Sequence, residues 1–429
     1  MRTPILRAAL LVSAALPCSL VAQTVAITGG KVYTVSGATI DNGTVVIRDG
    51  KIVAVGGNVP VPEGAQRIDA TGKWVTPGLV DAATLLGFSE IGAVGGTNDA
   101  GATGKDHVAA AFTVWEGLNP ASVLLSPTRE DGVTSVIVHP TDGLFAGQSA
   151  VVELVDGDAT DMVIRRSAAM VAYLNNARDV GAESRGEMLL RVREILDDAR
   201  TYARRRADFE RAETRPFAAG RLDLEALQPV LAGRLPLLVA VDKASDIQAA
   251  LRLAKDYSIR LVIAGGAEAW MVAGDLAAAR VPVLTGAMNN IPESFNALGT
   301  RQENAASLRA AGVTVALIGN AGGGDEETFN VRNIRYEAGN AVAYGMKWED
   351  ALRAITLTPA EIFGVADRVG SLQAGRDANV VVWSGDPFEF ATRAEHVFVR
   401  GKEYHDVSRQ DLLMERYKNL PPNYETQLK

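Results

Sequence analysis

The sequence predicts an α/β protein: a (β/α)8 TIM-type barrel plus a small composite β-sandwich formed by both chain ends. Three observations point to it. The middle of the chain alternates short apolar runs with helical patterns, as parallel strands joined by crossover helices do. Both ends carry glycine-punctuated β texture, so the chain leaves one small module and returns to it. The length of 429 residues suits a barrel of roughly 250–300 residues with such a module attached.

Residues 1–22 read as a cleaved secretory signal. Arg2 and Arg7 form a basic start, residues 8–16 an apolar core, and Ala22 a small residue before Gln23. The apolar run is well under the ~20 residues a spanning helix needs. Cys18 follows Pro17, which fits a lipid-attachment box poorly. Cleavage would remove two arginines and the only cysteine, taking the formal charge from −8 to −10. The expectation is an exported protein, periplasmic or extracellular. No later segment reaches spanning length without charges, so no membrane span is expected in the mature chain.

Residues 23–74 and 370–407 are expected to make the β-module. β-rich runs at 25–27, 31–35, 44–48 and 51–55 are separated by Gly29-Gly30, Asp41-Asn42-Gly43 and Asp49-Gly50. Asp-Gly between alternating runs is a strong hairpin signal. Runs at 378–383 and 396–399 repeat the texture. Residues 75–369 are expected to make the barrel, with strands at 75–81, 134–139, 150–155, 168–174, 237–242, 261–265, 281–284 and 314–319. Helical patterns fall at 244–257, 267–279 and 304–311. The Arg-rich stretch 186–215 reads as a helix whose basic face is solvated or salt-bridged. Residues 408–429 are polar, carry Pro421-Pro422, and read as a tail.

Composition excludes several classes. With 47% hydrophobic and 22% charged residues the chain can build a full core and is not a disordered one. Its net negative charge argues against nucleic acid, whose phosphates demand clustered Lys and Arg. A single cysteine forbids an internal disulfide or a thiolate metal site.

Several motifs together resemble the amidohydrolase superfamily, in particular its secreted imidazolonepropionase-like and prolidase-like branch. They are Gly50-Lys51-Ile52-Val53-Ala54-Val55-Gly56, then Asp69-Ala70-Thr71-Gly72-Lys73 leading to Pro77-Gly78-Leu79-Val80-Asp81. Gly132-Val133-Thr134 and Gly147-Gln148-Ser149 follow. Last come Leu357-Thr358-Pro359-Ala360 and Gly375-Arg376-Asp377-Ala378-Asn379-Val380-Val381-Val382. Their order spans nearly the whole mature chain. The resemblance implies a metal-dependent hydrolase of amide, cyclic amide or ester bonds. Zinc or another divalent ion at the barrel mouth would lower the pKa of a bound water and polarise the scissile carbonyl. The ligands implied are an H-x-H pair ending strand 1, a Lys or Glu on strand 4, His on strands 5 and 6, and an Asp ending strand 8 that also serves as base.

Carried over by position, that set is degenerate. The two strand-1 positions hold Ala83 and Leu85, the strand-4 position Val171, the strand-5 position Ala240, the strand-6 position Gly265, and the strand-8 position Asn320. The histidine count agrees: His107, His139, His396 and His405 are the only four, and only His139 sits at a strand end facing the expected mouth. No metal cofactor is therefore expected. The polar set left is Asp81, His139, Gln148, Glu153, Asp242 and Asn320. Glu153, Asp242 and His139, with Asn320, are the catalytic candidates, and Asp81 and Gln148 the ligand-binding ones. Gly322-Gly323-Gly324 would make a flexible loop or an anion cradle.

Two functions stay open. One is a pseudoenzyme that binds a small molecule in the old pocket, or that pairs as a homo- or hetero-oligomer with a catalytically complete amidohydrolase. The other is an active secreted C–N hydrolase with a non-standard site, built from the remaining carboxylates and imidazole.

Overall fold

A computed structural model describes residues 24–418, other than 93, 289–291, 293, 320–328 and 406–408. The expected signal segment, most of the tail, Asn320 and the triple glycine lie outside the described residues. Among the described residues no helix is long and apolar enough to cross a membrane.

One sheet draws strands from both chain ends. From the N-terminal side come β1 (Val25–Val32), β2 (Ile40–Arg48), β3 (Lys51–Gly56), β4 (Gln66–Asp69) and β5 (Trp74–Pro77). From the far end come β16 (Val380–Trp383), β17 (Ala394–Val399) and β18 (Lys402–Tyr404). The order is β18-β17-β16-β5-β1-β2-β3, with β4 beside β1. The ends are stitched where β5 runs antiparallel to β16, pairing Val75 with Val382. Residues Ile27, Val45, Ile47, Ile52, Val380 and Phe398 fill the core of this unit.

Two breaks expected from sequence are bulges instead. Gly30 interrupts the register inside a continuous β1, and Gly43 pairs with it inside β2. The Asp49-Gly50 turn is as expected for a two-residue hairpin: φ is 53° and 74° at its two residues. The Arg400-Gly401 turn abuts it so closely that a Cβ on Gly50 would lie 2.9 Å from the Arg400 carbonyl. Both glycines are therefore needed for the two turns to touch.

Barrel strands follow as β6 (Leu79–Thr84), β7 (Val133–Val138), β8 (Gly147–Gln148), β9 (Ala150–Glu153), β10 (Val163–Arg165), β11 (Met170–Tyr173), β12 (Leu237–Val241), β13 (Leu261–Gly265), β14 (Val283–Thr285) and β15 (Val315–Leu317). β6 and β7 are parallel, as are β11 through β15 in sequence order. β15 lies against β6 and completes the ring. Val80, Val151, Val171, Leu238, Val262 and Ala316 pack in the lumen, floored by Phe363 and the helix Leu357–Ile362.

Two expectations need correction. The strand expected over 75–81 is two strands, because β5 joins the β-module and β6 the barrel, with Gly78 between them. A Cβ on Gly78 would fall 2.1 Å from the Thr134 hydroxyl oxygen, so no side chain fits the crossing. The third barrel stave is antiparallel: β9 runs against β7, and β8 against β11. Only residues 139–146 link β7 to β8. That is short of the dozen or so residues a parallel crossover needs.

The helix Ala244–Tyr257 falls where expected. The Arg-rich stretch forms Arg185–Arg204, capped by Ser184 accepting from the Glu187 amide, and then Arg206–Glu210. Met188, Val192, Ile195, Ala199 and Tyr202 make its buried stripe. Its outer arginines pair with acids: Arg205 and Arg211 with Asp208, Arg206 with Glu210 and Glu225, and Arg215 with Asp198.

Candidate functional site

The C-terminal ends of the parallel strands define the mouth, and the residues there are mostly small. At the end of β6, Ala83 faces the lumen cluster. Leu85 does not: it is buried in the larger core cluster outside the lumen, which also holds Leu86, Phe88 and Leu118. Of the two strand-1 positions assigned by the resemblance, Ala83 therefore meets the lumen cluster and Leu85 does not. Val171 on β11 is wholly buried in the lumen, and Ala240 on β12 is half-buried above it. Asp81 is a local clamp whose carboxylate accepts the Ala83 amide at 3.0 Å.

Gly265 ends β13 with φ of 85°. A Cβ there would lie 2.5 Å from Oδ1 of Asp242. The aspartate thus occupies the room that any side chain at 265 would need. Asp242 is itself held by a reciprocal pair with Asn175. Nδ2 of Asn175 donates to Oδ2 at 2.6 Å, and the Asp242 amide donates back to Oδ1 of Asn175 at 2.8 Å. The Ala267 amide donates to the other carboxylate oxygen at 3.2 Å. Burial pushes the Asp242 carboxyl above its usual range and neighbouring Glu268 adds to the rise, while the Asn175 and Ala267 bonds oppose it.

Glu268, Asn175 and Ser149 were not singled out by sequence. Glu268 is buried and accepts the Ala244 amide at 3.0 Å and the Gly299 amide at 3.0 Å, tying two mouth loops together. Ser149 is wholly buried and meets Nδ1 of His139 at 2.7 Å. Nε2 of His139 lies 2.8 Å from the Ala82 carbonyl. A carbonyl only accepts, so Nε2 carries the proton and Nδ1 accepts from the Ser149 hydroxyl. Burial lowers the His139 pKa to about 4, against a weaker opposing effect of the Ala82 carbonyl. The imidazole is neutral near pH 7, packs at a tilt against Phe363 with ring centroids 5.5 Å apart, and ties β6 to the antiparallel stave.

The structure separates the remaining candidates from the mouth. Because β9 runs antiparallel, Glu153 sits at its base end, opposite Ser135 rather than beside Val138. It is 0% exposed. Arg400 and Arg368 reach one carboxylate oxygen at 2.6 and 3.1 Å, and Asn379 donates to the other at 2.9 Å. Arg368 continues to Asp377 at 2.7 Å, which Lys51 meets at 2.5 Å. Glu153 is a hub between barrel and β-module. Gln148 faces the outer loop, donating to the Ala110 carbonyl at 3.2 Å and accepting from Ser167 at 2.5 Å.

This donor set does not fit a divalent metal. Among the described residues no group of three or more His, Cys, Asp or Glu side chains is arranged to hold one. What Asp242, Asn175 and the half-buried Tyr173 offer instead is a small polar rim over an apolar lumen.

Comparison with known proteins agrees with the architecture. Residues 240–404 match the Amidohydrolase family. An amidohydrolase of Hapsidospora irregularis is 23% identical over 85% of this chain, which spans 40% of that relative's length. An imidazolonepropionase of Acidiphilium cryptum is 25% identical over 82% of the chain and 89% of its own. The crystal structure of an amidohydrolase from Thermotoga maritima superposes with a TM-score of 0.80 at 27% identity, over 89% of this chain and 99% of that one.

Proposed function

The chain belongs to the amidohydrolase superfamily and is imidazolonepropionase-like; from that premise we propose that it is a non-catalytic descendant, a pseudoenzyme that binds a small organic ligand at the barrel mouth. The observation that carries the reading is the seating of Asp242 in the space of the side chain at 265. Loss of a ligand by substitution alone leaves a vacancy that one reversion refills. Here a half-buried, hydrogen-bonded carboxylate has taken the space, and Ala83, Val171 and Ala240 offer no electron pair. The wild-type chain is expected to show no turnover of dipeptides or cyclic amides with added zinc or manganese. Metal-dependent hydrolysis would overturn the reading.

A second reading rests on Asp242. A mouth carboxyl with a raised pKa is a candidate acid or base, which would make the chain a C–N hydrolase without the family's metal centre. Metal-independent turnover abolished by Asp242→Asn would establish it. Export is part of the proposal and rests on Arg2, Arg7 and the apolar run before Gln23. So is pairing with a catalytically complete relative, for which co-purification is the test.

A further inference from the structure

A well-formed groove lies at the barrel base, away from the mouth. It has a volume of 1010 Å³ and lies between the helices Ala244–Tyr257 and Ala273–Ala279. Pro236, Leu261 and Pro282, at or just before the starts of β12, β13 and β14, line it and fix it at the end opposite the mouth. Its floor is apolar, from Ile259, Val281 and Ile362. Ile362 and Val262 belong also to the lumen cluster.

The rim has the opposite character. Arg252, Lys255, Arg260 and Arg280 all line the groove and are exposed. None has a side-chain hydrogen bond or ion pair with any described residue, unlike the arginines of the Arg185–Arg204 region. The one lining carboxylate, Asp275, accepts from Gln248 at 3.1 Å. Helix dipoles account for part of this: Lys255 lies in a last helical turn and Arg280 caps a helix C-terminus. They do not account for Arg260, which sits outside both helices, or for Arg252 a turn earlier. Four uncompensated cations around one concavity, in a chain of net charge −8, make a local field that attracts anions. An apolar floor under such a rim is complementary to one chemistry, a negative head on an apolar body.

We propose that this base groove is a second ligand site, separate from the mouth, that takes amphipathic organic carboxylates. The apolar body lies along Ile259, Val281 and Ile362, and the carboxylate meets the arginine rim. The concave shape favours a single molecule over a flat membrane surface.

Calorimetric titration of the full chain with decanoate tests it, with acetate and decanamide as probes lacking the apolar body or the charge. One decanoate per chain is expected, weakened by added salt. Arg252→Glu with Arg280→Glu, both exposed, should weaken it by at least about tenfold, with the circular dichroism spectrum retained. Acetate and decanamide should bind at least about tenfold more weakly than decanoate. Equal binding of decanamide, several equivalent decanoates per chain, or no effect of both charge reversal and salt would overturn the proposal. So would co-sedimentation with anionic phospholipid vesicles that the double variant abolishes, because the basic rim would then be a membrane face.

Discussion

Asp242 and Gly265 contend for one volume, and that contest is the most specific fact about the mouth. Gly265→Ala is expected to cost about 1–3 kcal/mol, because the position has φ of 85° and the new methyl would meet a carboxylate oxygen at 2.5 Å. In an Asp242→Ala background the steric part should vanish and only the backbone part remain, a double-mutant cycle read by denaturant titration. His139 sets a second expectation. Its folded pKa of about 4 lies below the ordinary 6.5, so the unfolded chain binds more protons between those values. Stability from this group is complete above about pH 6.5 and falls as pH drops toward 4, by about 3 kcal/mol in all. Native-state NMR titration should find the imidazole neutral at pH 5.5. Replacement by Asn should flatten the stability curve over that window. The sequence made both positions visible but not their partners. Ser149 and Asn175 meet His139 and Asp242 only through the closed barrel, and no local pattern marks such contacts.

Among the elements, the antiparallel stave decides where a candidate carboxylate ends up. Glu153 would stand near the mouth on a parallel strand. On β9 as built it faces the base and meets Arg368, Arg400 and Asn379. Its removal as Glu153→Ala should leave the half-buried Arg400 guanidinium and the buried Asn379 amide without their acceptor, while Arg368 keeps Asp377, and destabilise the chain by about 1–3 kcal/mol. Barrel and β-module should then unfold in separable steps, seen as non-coincident far- and near-ultraviolet transitions. Eight of the ten described barrel strands were legible because each is a short apolar run, β8 and β10 being the exceptions, and the helix over 244–257 because of its period. Strand direction was not legible in the run itself, since an apolar stretch looks the same either way. The signal lay in the linker, too short between β7 and β8 for a crossover. The split at Gly78 was hidden for a similar reason: apolar residues continue across it, and the constraint comes from Thr134, far along the chain.

At the scale of the molecule, the superfamily architecture is kept, and the proposed change lies in the chemistry at the mouth. The two-ended β-module and the barrel match the superfamily's architecture, while the positions the resemblance assigns to metal ligands carry Ala83, Leu85, Val171, Ala240 and Gly265. The sequence expectation of a degenerate ligand set rests on motif positions and on a count of four histidines. What the structure adds is that Leu85 belongs to the core cluster outside the lumen and that Asp242 fills the space a side chain at 265 would take. Reinstating the pair as Ala83→His with Leu85→His is therefore expected to leave zinc binding weak and sub-stoichiometric. The central claim, that the mouth is a binding site and not a metal-dependent hydrolytic centre, is tested most directly by elemental analysis of the purified wild-type chain after equilibration with zinc and removal of free ion. Well under one zinc per chain is expected. One or two tightly held ions per chain would contradict it.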